Sequence, residues 1–121
     1  MAPVPWTALF SVALGGAVGS SLRFAVSATV VQSGLAGAWA TLVVNVVGSG
    51  LMGVLVSRHP DPASSPRLLL GAGLLGGFTT FSAFSAEVVA LGPRLGTIYT
   101  VASVALGLAA FLLGRHLGST A

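Results

Sequence analysis

Ten consecutive residues, Gly76-Gly77-Phe78-Thr79-Thr80-Phe81-Ser82-Ala83-Phe84-Ser85, carry most of the chemistry in this sequence. Phe81 and Phe84 stand three apart and share a helical face, with Thr80 and Ser85 beside them on the same side. A phenylalanine ring has a positive edge and a negative face. Rings turned edge-on can hold a small anion weakly, while neighbouring hydroxyls replace part of its water. The paired glycines ahead of them suggest that residues 76–79 leave the helical ladder. The carbonyls of Gly76 and Thr79 then become free acceptors suited to a cation. At membrane depth such backbone is tolerated only where it is buried in protein or lines a cavity, so the run points to a binding site or a permeation path.

Other polar residues are placed to join it. Asn45 lies in Thr41-Leu42-Val43-Val44-Asn45-Val46-Val47-Gly48-Ser49, with a hydroxyl four residues before and after it. An amide in hydrocarbon needs partners, and this one either joins helices or offers its NH2 to an anion. Arg23 ends a row of small and polar residues spaced by four, Thr7, Ser11, Gly15, Gly19, Arg23 and Ser27. A cation there either snorkels to the headgroups or forms an electropositive vestibule. Tyr99, Ser103 and Gly107, also four apart, form a second narrow stripe that extends the donor path. Glu87 follows the central run near the aqueous boundary. His59 and His116 each adjoin an arginine at an expected helix end, and no partner at metal-ligand spacing accompanies them.

The elements that must position these residues are membrane spans. Hydrophobic residues make up 55% of 121 and charged residues 6%; the mean hydropathy is +0.99. Ordinary soluble domains carry roughly 25% charged residues. Four apolar stretches, 5–32, 37–57, 67–91 and 95–116, come near the ~20 residues needed to cross the hydrocarbon core. They predict one all-α integral membrane domain over 1–121. Arg58 to Arg67 is the one connection of soluble composition, and Gly92-Pro93-Arg94 reads as a tight turn. Ala25-Val26-Ser27-Ala28 has the small residues of a signal cleavage site. No basic n-region precedes it, so the stretch is read as a span.

The five basic residues, Arg23, Arg58, Arg67, Arg94 and Arg115, are spread along the chain, which excludes a nucleic-acid stripe despite a pI of about 11.4. No cysteine is present, so disulfides and thiolate metal sites are excluded. Three arginines fall on one side of the membrane against Arg94 on the other, a weak bias of the sort expected if copies insert both ways. Glycine pairs at small-xxx-small spacing, Gly15/Gly19, Gly73/Gly77, Gly92/Gly96 and Gly114/Gly118, predict close helix packing and an oligomer, with a dimer as the smallest working unit.

Three motifs together resemble a known family: Gly15-Gly16-x-x-Gly19-x-x-x-Arg23, Thr41-Leu42-x-x-Asn45-x-x-Gly48, and Gly76-Gly77-x-Thr79-Thr80-Phe81-Ser82-x-Phe84-Ser85-x-Glu87. Their order, the chain length and the four spans look like the Fluc, or CrcB-type, fluoride channels. The resemblance covers nearly the whole chain. It implies an antiparallel, dual-topology homodimer in the bacterial inner membrane with two pores, passive and selective for fluoride over chloride, exporting fluoride from the cytoplasm. By the same resemblance Phe81 and Phe84 are the pore phenylalanines, Asn45 the pore asparagine and Arg23 the vestibule arginine. Gly76 and Thr79 match the positions whose carbonyls hold a structural Na⁺, Thr80 and Ser82 the hydroxyls of that motif, and Tyr99 and Ser103 the polar track of the fourth helix. Ala83 stands where a hydroxyl residue is frequent.

The main alternative is a small proton-coupled multidrug-type transporter, also of four spans. Such transporters rely on an acid in the first span, where this chain has Arg23. An assembly protein that only binds other helices would leave the Gly-Gly and phenylalanine pattern unexplained. Enzyme chemistry is not expected: there is no Gly-x-Ser-x-Gly elbow and no mid-span histidine to supply nucleophile and base.

Overall fold

Apolar composition leaves helices as the only open-ended structure that can satisfy its own backbone in lipid, and helices are what form. A computed structural model describes residues 3–34 and 36–121 of the chain. Helix α1, Trp6–Gln32, starts after Pro5, whose carbonyl accepts from the N–H groups of Ala8 and Leu9. The chain turns away two residues after its end, at Gly34, whose φ of 84° suits a residue without Cβ. Helix α2, Gly37–Arg58, closes with Arg58 in its last turn, where a cation complements the helix dipole. Asp61 then organises the next turn, its carboxylate accepting from Ala63 N–H at 2.9 Å and its carbonyl from the Ser64 hydroxyl at 2.8 Å.

The rest of the chain departs from plain helix in three places. Arg67–Leu75 is a π-helix, continued by the short α3, Gly76–Phe78. Thr79 (φ −79°, ψ 159°) and Thr80 (φ −152°, ψ 124°) are extended, and α4, Phe81–Thr120, comes after them. Inside α4, Gly92 alone is non-helical (φ 76°, ψ 176°), and the helix resumes at Pro93, whose missing N–H costs nothing in a first turn. Tyr99 lies with its ring centroid 5.7 Å from that of Phe84. Fifteen residues of uninterrupted helix would separate them by roughly 22 Å. The chain therefore doubles back at Gly92.

Two expectations are corrected here. Instead of four separate transmembrane helices there are, among the described residues, three helical stretches long and apolar enough to cross a membrane, Trp6–Gln32, Gly37–Arg58 and Arg67–Thr120. The stretches expected as 67–91 and 95–116 run together because the reversal takes a single residue and no loop. The break in the third stretch also lies one step later than its glycines suggested. Gly76 and Gly77 remain helical and Thr79-Thr80 leaves the ladder.

The glycines serve packing instead. Gly15 and Gly19 of α1 meet the backbone of the π-helix at Leu69 and Leu74, and Gly77 meets the backbone of Gly16, at separations where any Cβ would collide. Gly53 of α2 faces the Phe111 carbonyl of α4, and Gly114 faces the Gly50 carbonyl. Thus α1 pairs with the π-helix and α3, and α2 pairs with α4. Such close approach gains dispersion where lipid removes any hydrophobic drive. Little else is interior: Val44 is fully buried, while Trp6, Phe10 and Phe24 are 70% or more exposed, as suits a surface solvated by acyl chains.

Candidate functional site

The interruption at Thr79-Thr80 frees backbone groups that must find partners in a dry setting, and side chains from other helices supply them. Asn45 Oδ1 accepts from Thr80 N–H at 2.8 Å, and Asn45 Nδ2 donates to the Thr80 carbonyl at 3.0 Å. Thr80 in turn caps α4, its hydroxyl accepting from Ala83 N–H at 3.1 Å and lying 3.1 Å from the Ser82 hydroxyl. The Asn45 amide thus joins helices and still retains a second N–H on Nδ2. Arg23, expected as a vestibule residue, reaches across from α1 and donates from Nε to the Gly77 carbonyl at 3.0 Å.

These bonds change what the carbonyls of the break can do. In a continuous helix Gly76 would accept from Thr80 N–H, which is given to Asn45; Thr79 would accept from Ala83 N–H, which is given to the Thr80 hydroxyl. Of the four carbonyls 76–79, Gly77's is taken by Arg23, whereas those of Gly76 and Thr79 have their helical donors diverted. Hard oxygen acceptors are thus left at the break. Among the described residues no group of His, Cys, Asp or Glu could hold a metal by side chains.

Beside the break lies a cleft of about 380 Å³ between α2 and the two arms of α4. Asn45, Thr80, Phe81, Phe84 and Ser103 all line it, so the structure brings together five of the six residues expected on one path. The sixth, Tyr99, adjoins them through Phe84, the rings stacked with an interplanar angle of 29°. Phe81 and Phe84 stand 5.6 Å apart at 41°, tilted rather than face to face. Tyr99 spends its one proton on the Ala38 carbonyl at 3.1 Å. Ser103 Oγ is buried in the wall of the cleft beside the Tyr99 hydroxyl and meets no partner at full hydrogen-bond geometry among the described residues.

Glu87 does not line this cleft. Its carboxylate sits against Gly37 at the start of α2, where the helix dipole favours negative charge and a Cβ on residue 37 would come within 2.9 Å of Oε1. Residues that sequence reasoning passed over also take part. Met52 and Phe111 line the apolar end of the cleft, and Ala38 acts only through its carbonyl. Helical spacing from Asn45 and Ser103 would have found the first two; a backbone acceptor leaves no sign in residue type.

With that geometry in view, comparison with known proteins is direct. The family described as CrcB-like protein, Camphor Resistance (CrcB), matches residues 10–115. A protein of Rhizobium leguminosarum bv. trifolii named Fluoride-specific ion channel FluC is 50% identical over 111 residues, 85% of this chain and 89% of that protein. One of the same name from Rhizobium etli is 48% identical over 113 residues, covering 87% of this chain and 90% of its own length. Another from Erythrobacter litoralis is 42% identical over an alignment of 128 positions that, gaps included, covers 93% of each protein.

Proposed function

The chain belongs to the CrcB family, as a multi-pass protein of the bacterial inner membrane, and from that premise we propose that it is a passive, fluoride-selective channel. The observation that carries the reading is the cleft itself, where tilted phenylalanines, an asparagine N–H and a buried serine hydroxyl meet beside a helix break. Fluoride is small and strongly hydrated, so it needs donors in place of water, yet conduction requires that no site hold it firmly. Hydroxyls and one amide N–H meet the first need. Ring edges, which attract an anion only weakly, meet the second. Among the described residues no carboxylate lines the cleft, Glu87 lying at the head of α2, and this favours passive flow over proton coupling.

The working unit in this reading is an antiparallel homodimer with two pores, in which the arms of α4 on either side of Gly92 each cross the membrane. Support comes from Phe81, which lines the cleft yet is 79% exposed in the single chain. A second copy would close that side. The carbonyls of Gly76 and Thr79, freed by the diverted N–H groups, would hold a structural Na⁺ together with their counterparts. The ion supplies fixed positive charge at the core of the assembly. Arg23 keeps the neighbouring Gly77 carbonyl occupied and adds a cation near the anion's path. Net flow is outward when fluoride accumulates in the cytoplasm.

The test is flux. Purified protein in liposomes loaded with potassium fluoride should release fluoride to an electrode on addition of valinomycin, and chloride-loaded vesicles should release nothing. Well-folded protein without valinomycin-dependent fluoride efflux would remove the channel reading.

A further inference from the structure

Most helical hydroxyls in this chain bend back onto their own helix: Ser11 donates to the Thr7 carbonyl at 2.9 Å, Ser21 to Ala17 at 2.8 Å, Ser57 to Val54 at 2.9 Å and Thr100 to Gly96 at 2.8 Å. Ser49 on α2 does not. It forms no hydrogen bond with any described residue, and it lines the same cleft as Asn45 and Ser103. Being four residues beyond Asn45, it shares that residue's helical face one turn further on.

The opposite wall explains why this matters. The stripe Tyr99, Ser103, Gly107 on α4 carries hydroxyls at its first two positions and none at its third. At that third position the point where a Cβ would stand lies 3.6 Å from Ser49 Oγ. We propose that Ser49 supplies from α2 the hydroxyl that α4 lacks at Gly107, forming with Ser103 an anion-contacting subsite in the part of the cleft beyond the phenylalanines. The Ser49 O–H suits a small, hard anion that accepts strong hydrogen bonds, and Ser103 Oγ lies buried in the facing wall. This assignment rests on the channel reading above and adds to it a residue that acts by direct contact with the ion.

Fluoride efflux from vesicles, measured with an electrode, separates the two. Ser49→Ala should reduce flux about fivefold, the effect of one lost hydrogen bond of ordinary net strength. The double variant Ser49→Ala/Gly107→Ser returns a hydroxyl from the other wall, where a Cβ makes only van der Waals contact, and should recover most of the loss. Size-exclusion profiles of both variants should match the parent protein. Flux unchanged in Ser49→Ala, or lowered without recovery in the double variant, overturns the subsite while leaving the channel standing. Absence of fluoride flux in the parent protein overturns both.

Discussion

The carboxamide of Asn45 grips the peptide of Thr80 at both ends, accepting from its N–H at 2.8 Å and donating to its carbonyl at 3.0 Å across 35 residues of sequence. One side chain thereby fixes where α3 stops and where α4 begins. Because the N–H it takes is the one Gly76 would otherwise receive, the same contact exposes a carbonyl at the break.

Asn45→Leu should therefore damage structure as well as conduction. Loss of both bonds leaves two groups of Thr80 unpaired in a dry setting, at about 1–3 kcal/mol. Thermal unfolding in detergent should shift downward, and fluoride flux in vesicles should vanish. Asn45→Asp, which keeps the acceptor for Thr80 N–H, should unfold nearer the parent temperature.

Arg23→Met keeps much of the aliphatic stem and removes the guanidinium. The Gly77 carbonyl loses a charge-assisted bond of about 1.5–3 kcal/mol. Flux should fall, and the deficit should be larger at low ionic strength, where the positive potential of the arginine reaches furthest. Flux with the parent protein's salt dependence would show that the charge does not act on the ion.

Phe81→Ile removes a ring that lines the cleft and packs 5.6 Å from Phe84. Fluoride efflux should drop at least about tenfold, equal to about 1.4 kcal/mol of barrier. An isoleucine variant that conducts like the parent would deny the ring any part in the path.

Gly114→Ala places a Cβ on the Gly50 carbonyl, with backbone on both sides and no flexible side chain to yield. Forced separation of α2 and α4 should cost about 1–3 kcal/mol. Gly107→Ala, whose Cβ meets nothing closer than 3.6 Å, should be tolerated, and paired melting curves in detergent check the contrast.

Much of this arrangement is legible in residue types. Asn45 and Arg23 stand out as polar groups that apolar helices would not keep without partners, and both are hydrogen-bonded at the break. The Gly15/Gly19 and Gly114/Gly118 spacings mark real close approaches. The position of the break is not legible, because glycine permits either a distorted backbone or a tight contact and spacing does not say which. Gly77 uses its bare backbone against Gly16, while β-branched Thr79 and Thr80 adopt the extended conformation and the Thr80 hydroxyl caps α4. The reversal at Gly92 is legible, but not that one residue accomplishes it. The partners Ala38 and Gly77 act through carbonyls that every residue possesses, so only the folded chain reveals them.

The pairing of α1 with the π-helix and of α2 with α4 also orders events during synthesis. Both early helices are synthesised before the segments whose backbones their glycines fit. Until the second half arrives, Arg23 and Asn45 lack the carbonyls they will hold, and each must be sheltered by water, lipid headgroups or the insertion machinery. The chain can be inserted step by step, but its polar centre can be assembled only at the end.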